Sequence, residues 1–256
     1  MRIPLPGQPG FATDSADPPP RSRTRSRGAS VRAGSRIEEP RPGLGTFQNR
    51  CPHDIVPLPG AARLPDFALD LVRPTPTHLP SYRAALERGW SPDTVRGSVA
   101  AQEELARIAA DPDDFLASLD DVEATGGPIV LPDGTRVPRL PGYRRWIWDG
   151  DFCGSIGLRW QPGTADLPAH VLGHIGYSVV PWKQGRGYAR RALGLVLRDA
   201  AVRGLPHVDL TTDPDNIASQ RVIIACGGEL VRRFRKPAAF GAADGLLYRI
   251  ALGRVG

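Results

Sequence analysis

The sequence predicts a mixed α/β fold for the second half of the chain, preceded by helices and a long leader. Two observations lead to this fold class. Paired apolar runs of hairpin type dominate from Arg144, and from Val171 onward runs typical of strands alternate with runs typical of helices. Strands that alternate with helices indicate an α/β domain, and the hairpins add antiparallel pairing, so the predicted sheet is mixed.

Residues 1–64 are predicted to be a disordered leader, and residues 65–256 one folded domain. Twelve of the 27 prolines lie in residues 1–65, with ten arginines, no lysine and five acidic residues. The remaining residues carry 23 basic and 22 acidic side chains, so the folded part is close to neutral. Two interpretations of the leader stay open: a solvated segment translated from a start codon placed too far upstream, or an arm that contacts nucleic acid or the ribosome.

The cysteines and the apolar content predict a cytoplasmic protein. The sequence has no secretory signal and no run of eighteen apolar residues, so we expect no membrane span. Cys51, Cys153 and Cys226 are odd in number and widely spaced, which favours a reducing compartment over a disulfide framework. We expect Cys153 and Cys226 to be buried, unreactive thiols.

The elements before the main sheet are predicted from alternation, helix caps and proline breaks. Pro74 and Pro76 end the first strand, and the Asp133-Gly134 turn between apolar flanks indicates a hairpin that Pro132 confines to an edge. The predicted elements are a strand at Phe67–Val72, helices from Thr77 to Arg88, from Asp93 or Thr94 to Ala109 and from Asp113 to Leu119, and a hairpin at Ile129–Val137.

The second half contains the hairpin and the strand–helix alternation from which the fold class is predicted. The Asp149-Gly150 pair is the usual composition of a tight turn, and it joins the first two strands. The predicted elements are strands at Arg144–Trp148, Phe152–Trp160 and Val171–Val180, a helix at Arg190–Ala201, a strand at His207–Thr212, a helix at Asn216–Ala225, and strands at Glu229–Phe234 and Leu246–Leu252.

The segment Gln184–Ala189 has the composition of an anion-binding turn. It joins an apolar strand to a helix, and its two glycines let a ligand approach the backbone closely. The first N–H groups of a helix have no intrahelical partner, and the positive end of the helix dipole favours a phosphate there. The turn lacks the Lys-Ser/Thr ending of a P-loop and the three glycines of a dinucleotide fingerprint, which excludes both motifs.

A second motif follows this turn about thirty residues later. Gln-x-x-Gly-x-Ala after Val179-Val180, then Asn216-Ile217-Ala218-Ser219 and Gly227-Gly228, resembles the GCN5-related N-acetyltransferase superfamily. The resemblance covers about residues 67–252, and the Asn-x-x-Ser-x-Arg-Val pattern is similar to the branch with ribosomal-protein N-terminal acetyltransferases. It implies a mostly antiparallel sheet with helices on both faces and a central parallel strand pair that parts around acyl-CoA.

The resemblance also implies where acetyl-CoA binds. Pantetheine would run between the strands Val171–Val180 and His207–Thr212, paired with the backbone of Val179 and Val180. Backbone N–H groups across the turn would hold the diphosphate, with the charge of Arg186 nearby. The cofactor-binding residues implied in this way are Val179, Val180, Gln184, Gly185, Arg186, Gly187, Tyr188, Ala189, Asn216 and Ser219.

Two residues are candidates for catalysis. Acyl transfer from a thioester requires a neutral amine, a donor for the oxyanion and a proton for the leaving thiolate. His174 lies where related enzymes often carry Glu, and is either the base or a histidine hydrogen-bonded within the sheet. Ile223 stands where many family members have Tyr, so Ser219 is either the donor to the sulfur or a helix-face serine that contacts the cofactor.

Other polar and aromatic residues have two interpretations each. Trp146, Trp148, Trp160 and Trp182 line an acceptor pocket or belong to the core, and Asp149, Asp213 and Asp215 attract an amine or serve turns and caps. His170 and His174 flank a strand entrance, and four residues of a strand span about 13 Å, so we expect no metal site.

The sequence therefore predicts an N-acetyltransferase that transfers acetyl from acetyl-CoA directly to a primary amine. The acceptor, a small molecule or a protein amine, is expected to bind around residues 79–119 and 129–142. The alternative is a non-catalytic acyl-CoA-binding or regulatory module of the same fold, which Ile223 favours. The oligomeric state is left open.

Overall fold

The computed structural model describes residues 69–131 and 133–253. The predicted leader, Cys51 and the first two residues of the predicted strand Phe67–Val72 lie outside this part of the chain. The strands are β1 Asp70–Val72, β2 Asp120–Asp121, β3 Ile129–Val130, β4 Arg136–Val137, β5 Gly142–Trp148, β6 Phe152–Arg159, β7 Ile175–Val179, β8 His207–Thr212, β9 Gly228–Arg235 and β10 Asp244–Ala251. The helices are α1 Leu79–Glu87, α2 Ser98–Ala110, α3 Pro112–Ala117, α4 Tyr188–Val202 and α5 Ile217–Ala225.

The strands form two larger sheets and one separate hairpin. The first sheet has the order β1-β5-β6-β7, with β2 also paired to β5, and the second has the order β8-β10-β9. Every pairing within them is antiparallel. The hairpin predicted at Ile129–Val137 is confirmed as β3 paired with β4.

The two larger sheets meet edge to edge, with β7 at the edge of the first and β8 at the edge of the second. The N–H of His174 donates to the carbonyl of Asp209 at 2.7 Å, which joins the edges at one point. A Cβ on Gly173 would lie 2.9 Å from the same carbonyl, so only glycine allows this approach. Beyond this joint no ladder connects β7 to β8 in the described chain, and each continues toward its carboxyl end beside the same opening. The predicted parting of a strand pair is present.

The third predicted strand is shorter than Val171–Val180. Residues 171–174 do not pair with β6 as a strand, because β6 ends at Arg159, whose N–H donates to the carbonyl of His174. The prediction for α2 also began too early. The carboxylate of Asp93 accepts the N–H groups of Val95 and Arg96 in a separate turn, and Gly97, with a φ of 52°, separates that turn from the helix.

Helices cover both faces of the first sheet, as the resemblance implies. Neighbouring residues of a strand point to opposite faces. On β5, Trp146 packs with Tyr82 of α1 and Phe115 of α3, whereas Ile147 packs with Leu193 of α4. Trp146 and Tyr82 stack with their ring centroids 4.2 Å apart. The first sheet therefore lies between two packed cores. In the described ranges no helix is both long and apolar enough to span a bilayer.

Candidate functional site

A cavity of about 390 Å³ occupies the opening between the two sheet edges. Its walls include Ile175, Gly176 and Tyr177 of β7 and Leu210, Thr211 and Thr212 of β8. The two strands leave polar backbone groups facing this space, because neither pairs with the other here. An extended polar chain inserted between the two strands could form hydrogen bonds with these unpaired backbone groups.

The anion-binding turn lies just beyond the carboxyl end of β7. Gly185 and Gly187 have φ angles of 76° and 78°, values that favour glycine, and α4 begins at Tyr188. Within the described chain, the backbone N–H groups of residues 185–189 donate no hydrogen bond. No atom lies within 4 Å of a Cβ built on either glycine. The turn therefore presents consecutive free donors at the positive end of a fifteen-residue helix.

A buried polar network holds this turn against the β5–β6 hairpin. Nζ of Lys183 lies 2.8 Å from Asp149, and the hydroxyl of Tyr188 donates to the other carboxylate oxygen at 2.6 Å. Burial by itself would raise the pKa of Asp149, but the hydrogen bonds from Lys183 and Tyr188 lower it to about 2. Tyr188 thus points its side chain inward, and only its backbone can serve a ligand. Asp149 has a structural role and is not free to attract an amine.

The backbone around Val179 and Val180 divides between the sheet and the cavity. The N–H of Val180 donates to Cys153 of β6 at 2.9 Å, and its carbonyl accepts the N–H of Lys183 at 3.0 Å. Because successive residues of a strand alternate, the N–H and carbonyl of Val179 point toward β8. The side chain of Gln184 donates to that carbonyl at 3.2 Å. Both backbone groups of Val180 already have a partner within the protein, so Val179 is the residue of this pair that directs its backbone groups toward the cavity.

Asn216 and Ser219 lie on the wall of the cavity opposite β7. The side-chain oxygen of Asn216 caps α5 by accepting the N–H of Ser219 at 3.0 Å, which leaves its amide nitrogen for other contacts. The hydroxyl oxygens of Ser219 and Tyr177 are 2.9 Å apart, and the Tyr177 hydroxyl also lies 3.3 Å from the carbonyl of Ser219. Burial raises the pKa of Tyr177 to about 12, so its hydroxyl keeps its proton at neutral pH.

His174 lies at the joint between the sheets rather than in the cavity. Its side chain is fully buried, and its Nδ1 accepts the N–H of Asp209 at 2.9 Å. Burial lowers the pKa of His174, so the ring stays neutral. A neutral imidazole has one basic nitrogen, and here that nitrogen is already an acceptor. The geometry favours the histidine hydrogen-bonded within the sheet over the proton acceptor.

A second cavity of about 440 Å³ adjoins the first. It is lined by parts of the segments 79–119 and 129–142, where the acceptor was expected. Arg144 and Arg159 line both cavities. Arg144 pairs with Glu104 of α2 at 2.8 Å, whereas Arg159 has no ion pair or side-chain hydrogen bond in the described chain.

Sequence reasoning did not single out Tyr177 and Arg159, which line the first cavity. Tyr177 stands on the strand that was assigned to the cofactor, two residues before Val179, and this spacing places both on the same face. Tyr177 and Ile223 line the same cavity. Arg159 is the last residue of β6, and no local signal marked it.

Most of the remaining candidates lie outside the two cavities. None of the four tryptophans lines either cavity, and Trp146 is fully buried in the aromatic core. Asp213 lines the first cavity, where it pairs with Lys236, and the carbonyl of Asp215 accepts the N–H of Ile217 in a turn. Burial raises the pKa of Cys153 to about 12, as expected for an unreactive thiol, while Cys226 is half-buried with a raised pKa. In the described part of the chain no group of three or more His, Cys, Asp or Glu side chains is placed to hold a metal ion.

Comparison with known proteins identifies the fold. A family model described as an acetyltransferase (GNAT) domain matches residues 69–229. The structure of RimL, a ribosomal L7/L12 α-N-protein acetyltransferase in complex with coenzyme A, is similar at 14% identity over 72% of this chain and 94% of that one, with a TM-score of 0.50.

Two further solved structures are similar over the same share of the chain. The microcin C7 self-immunity acetyltransferase MccE, solved with acetyl-CoA and AMP, is 13% identical over 72% of this chain and 92% of that one, with a TM-score of 0.48. A chimera of the spermidine N-acetyltransferase SpeG from Vibrio cholerae and hSSAT is 12% identical over 72% of this chain and 95% of that one, with a TM-score of 0.48. No curated protein sequence matches the chain. On the family match, which spans most of the chain, this protein belongs to the GNAT acetyltransferase domain family.

Proposed function

We propose that this protein transfers an acetyl group from acetyl-CoA directly to a primary amine. The observation that carries the proposal is the row of free N–H groups at residues 185–189, next to an opening where two sheet edges part. This combination suits a ligand with a diphosphate at one end and a polar, extended arm at the other. The RimL structure, which shares the fold, holds coenzyme A, and this supports the choice of ligand.

The residues of the site then have separate tasks. The N–H groups of residues 185–189 bind the diphosphate, with Arg186 adding positive charge, and Gln184 steadies the carbonyl of Val179 beside the arm. The free amide nitrogen of Asn216 contacts the arm from α5. The thioester supplies an activated acetyl carbon. Its sulfur then lies near Tyr177 and Ser219.

The chemistry requires one bond to form and one to break. The amine nitrogen attacks the thioester carbon, the carbon–sulfur bond breaks, and the Tyr177 hydroxyl, which Ser219 orients from 2.9 Å, donates a hydrogen bond to the sulfur as negative charge develops there. Burial raises the pKa of Tyr177 to about 12, above that of a thiol, so this hydroxyl stays protonated throughout. The attacking amine loses its proton to water, and water returns a proton to the departing thiolate.

Calorimetry and turnover test this function in sequence. We expect saturable binding of CoA, then release of free thiol from acetyl-CoA with at least one member of a panel of primary amines. Tyr177→Phe should lower kcat by about 100-fold, the scale of a lost hydrogen-bond donor to the developing charge, and leave CoA affinity unchanged. Tyr248→Phe is the matched control, because this buried tyrosine bonds Gln220 and lines neither cavity. Absence of CoA binding at millimolar concentration contradicts the proposal.

A non-catalytic acyl-CoA-binding module is the second candidate. It is favoured by Ile223, which provides no proton where many family members carry Tyr. The same two measurements separate the candidates, because a binding module would show CoA saturation without thiol release from any amine tested. A normal rate in Tyr177→Phe would leave catalysis in place but remove the role assigned to this tyrosine.

A further inference from the structure

The two cavities share one wall. Asp93, Val95, Arg144, Gly157 and Arg159 line both of them. The first cavity contains Tyr177 and Ser219, and the second lies among the loops where an acceptor is expected. An acceptor that reaches the acetyl group from the second cavity has to move past the residues of this shared wall. The charges of these residues therefore decide which acceptors bind.

Arg159 is the cation on this wall whose side chain forms no ion pair and no hydrogen bond with any described residue. Its side chain is exposed to the cavity space, and a Cβ on Gly176 would lie 3.7 Å from its Nη2. Glycines at 157 and 176 leave the space beside the guanidinium free of side chains. Desolvation by the surrounding protein, together with the nearby charge of Arg144, lowers the pKa of Arg159.

The other charged groups on the wall are engaged. Arg144 pairs with Glu104, and one carboxylate oxygen of Asp93 accepts two backbone N–H groups. Asp93 attracts Arg159 electrostatically and partly offsets the lowering of its pKa, but the two side chains form no ion pair in the described chain. A guanidinium presents donors in a planar fork that matches a carboxylate or a phosphate, and it binds such groups strongly where water is partly excluded.

The anion that suits Arg159 does not come from the CoA diphosphate. Arg159 reaches β7 at Gly176, whereas the free N–H groups begin at residue 185, beyond the carboxyl end of the strand. The four residues from Gly176 to Val180 alone span about 13 Å in a strand. An anion at Arg159 therefore belongs to the acceptor side of the site.

We propose that the acceptor is a primary amine that also carries an anionic group, a carboxylate or a phosphate, which binds Arg159. This inference rests on the proposed function and names the substrate class of the same site. Binding at Arg159 would hold the acceptor against the shared wall, with its amine close to the acetyl group beside Tyr177.

Calorimetry on the CoA-saturated protein tests this with matched pairs of amines. Phenylalanine against phenethylamine isolates a carboxylate, and phosphoethanolamine against ethanolamine isolates a phosphate. We expect the anionic member of at least one pair to bind at least about tenfold more tightly, and the pair that responds identifies the anion. Equal affinities within both pairs, or no binding of either anionic amine at millimolar concentration, overturn the inference.

Variants assign the preference to the residue. Arg159→Met should abolish it and Arg159→Lys should keep part of it, because lysine retains the charge without the planar fork. Arg198→Met is the control, since this exposed residue of α4 lines neither cavity. A preference that survives in Arg159→Met overturns the inference. If the preference is present but no amine is acetylated, the enzymatic function fails and the anion site stands. If neutral amines are acetylated as efficiently as anionic ones, the anion site fails alone.

Discussion

The polar groups around β7 fall into two regions that differ in how their hydrogen bonds are satisfied. On the interior side, Nδ1 of His174 bonds Asp209 while its buried Nε2 has no partner in the described chain, and Asp149 bonds both Lys183 and Tyr188. On the cavity side, Arg159 and the N–H groups of residues 185–189 have no partner in the described chain. Interior contacts stabilise the fold, whereas donors left open in a cavity contribute to binding.

This difference can be measured, because the two regions respond to substitution in different quantities. Changes on the interior side should lower the free energy of unfolding. Changes on the cavity side should alter ligand affinity with a smaller loss of stability. The four predictions below compare the regions in this way.

The largest loss of stability is expected for His174→Ala. The side chain is fully buried and its Nδ1 joins the two sheets, so removal leaves a cavity and an unpaired N–H on Asp209. We expect a loss of about 3 kcal/mol in urea unfolding. At a temperature where the variant is folded, the pH dependence of kcat should keep its shape. A selective loss of activity at neutral pH with normal stability would instead restore His174 as the base.

Asp149→Asn should cost about 2 kcal/mol at pH 7. The pKa of Asp149 is about 2 in the folded chain, below the value of about 3.9 in an unfolded one, so ionisation favours folding. This stabilisation is complete above pH 5 or so and is lost as the pH falls toward 2. The difference between Asp149→Asn and the parent should therefore narrow in acid. Asp244→Asn, which breaks the exposed pair with Arg235, should change stability by less than about 0.5 kcal/mol at any of these pH values.

The sequence predicted the parts of the site that depend on adjacent residues. The glycines of the anion-binding turn, the helix after it and the helix predicted from Asn216 to Ala225 follow from local signals, and each lies near its predicted position. The fold class was predicted for the same reason, since alternation and turn residues act over a few positions.

Long-range contacts decide the parts that were missed. Tyr177 meets Ser219 across 42 residues, and His174 meets Asp209 across 35. The occupation of the Val180 backbone depends on which edge of β7 pairs with β6, a choice of register that composition does not reveal. Whether Arg159 forms an ion pair depends on where carboxylates of distant elements lie in the folded chain. The sequence could therefore not show that it has none with the described residues.

Gly187→Ala and Gly204→Ala separate backbone strain from ligand binding. Both glycines have φ near 80°, and neither has an atom within 4 Å of a built Cβ. Alanine in this conformation should cost about 1 kcal/mol of stability at each position. Only Gly187 lies in the anion-binding turn, so only Gly187→Ala should weaken CoA binding in calorimetry, by at least about tenfold. Equal CoA affinities in the two variants would contradict the assignment of the turn.

The smallest change in stability is expected for Arg159→Met, within about 0.5 kcal/mol of the parent in urea unfolding. No ion pair is lost, and the repulsion from Arg144 that is relieved offsets the attraction to Asp93 that is lost. Arg144→Met is the matched comparison on the same wall. It removes one of the two partners of Glu104, whose side chain is 15% exposed and also accepts from the Tyr82 hydroxyl, and should cost at least about 1 kcal/mol. If Arg159→Met were as destabilising as Arg144→Met, Arg159 would belong to the interior side and its guanidinium would stabilise the fold. A stable Arg159→Met that has lost its preference for anionic amines would instead show that this arginine contributes to binding and hardly at all to the fold.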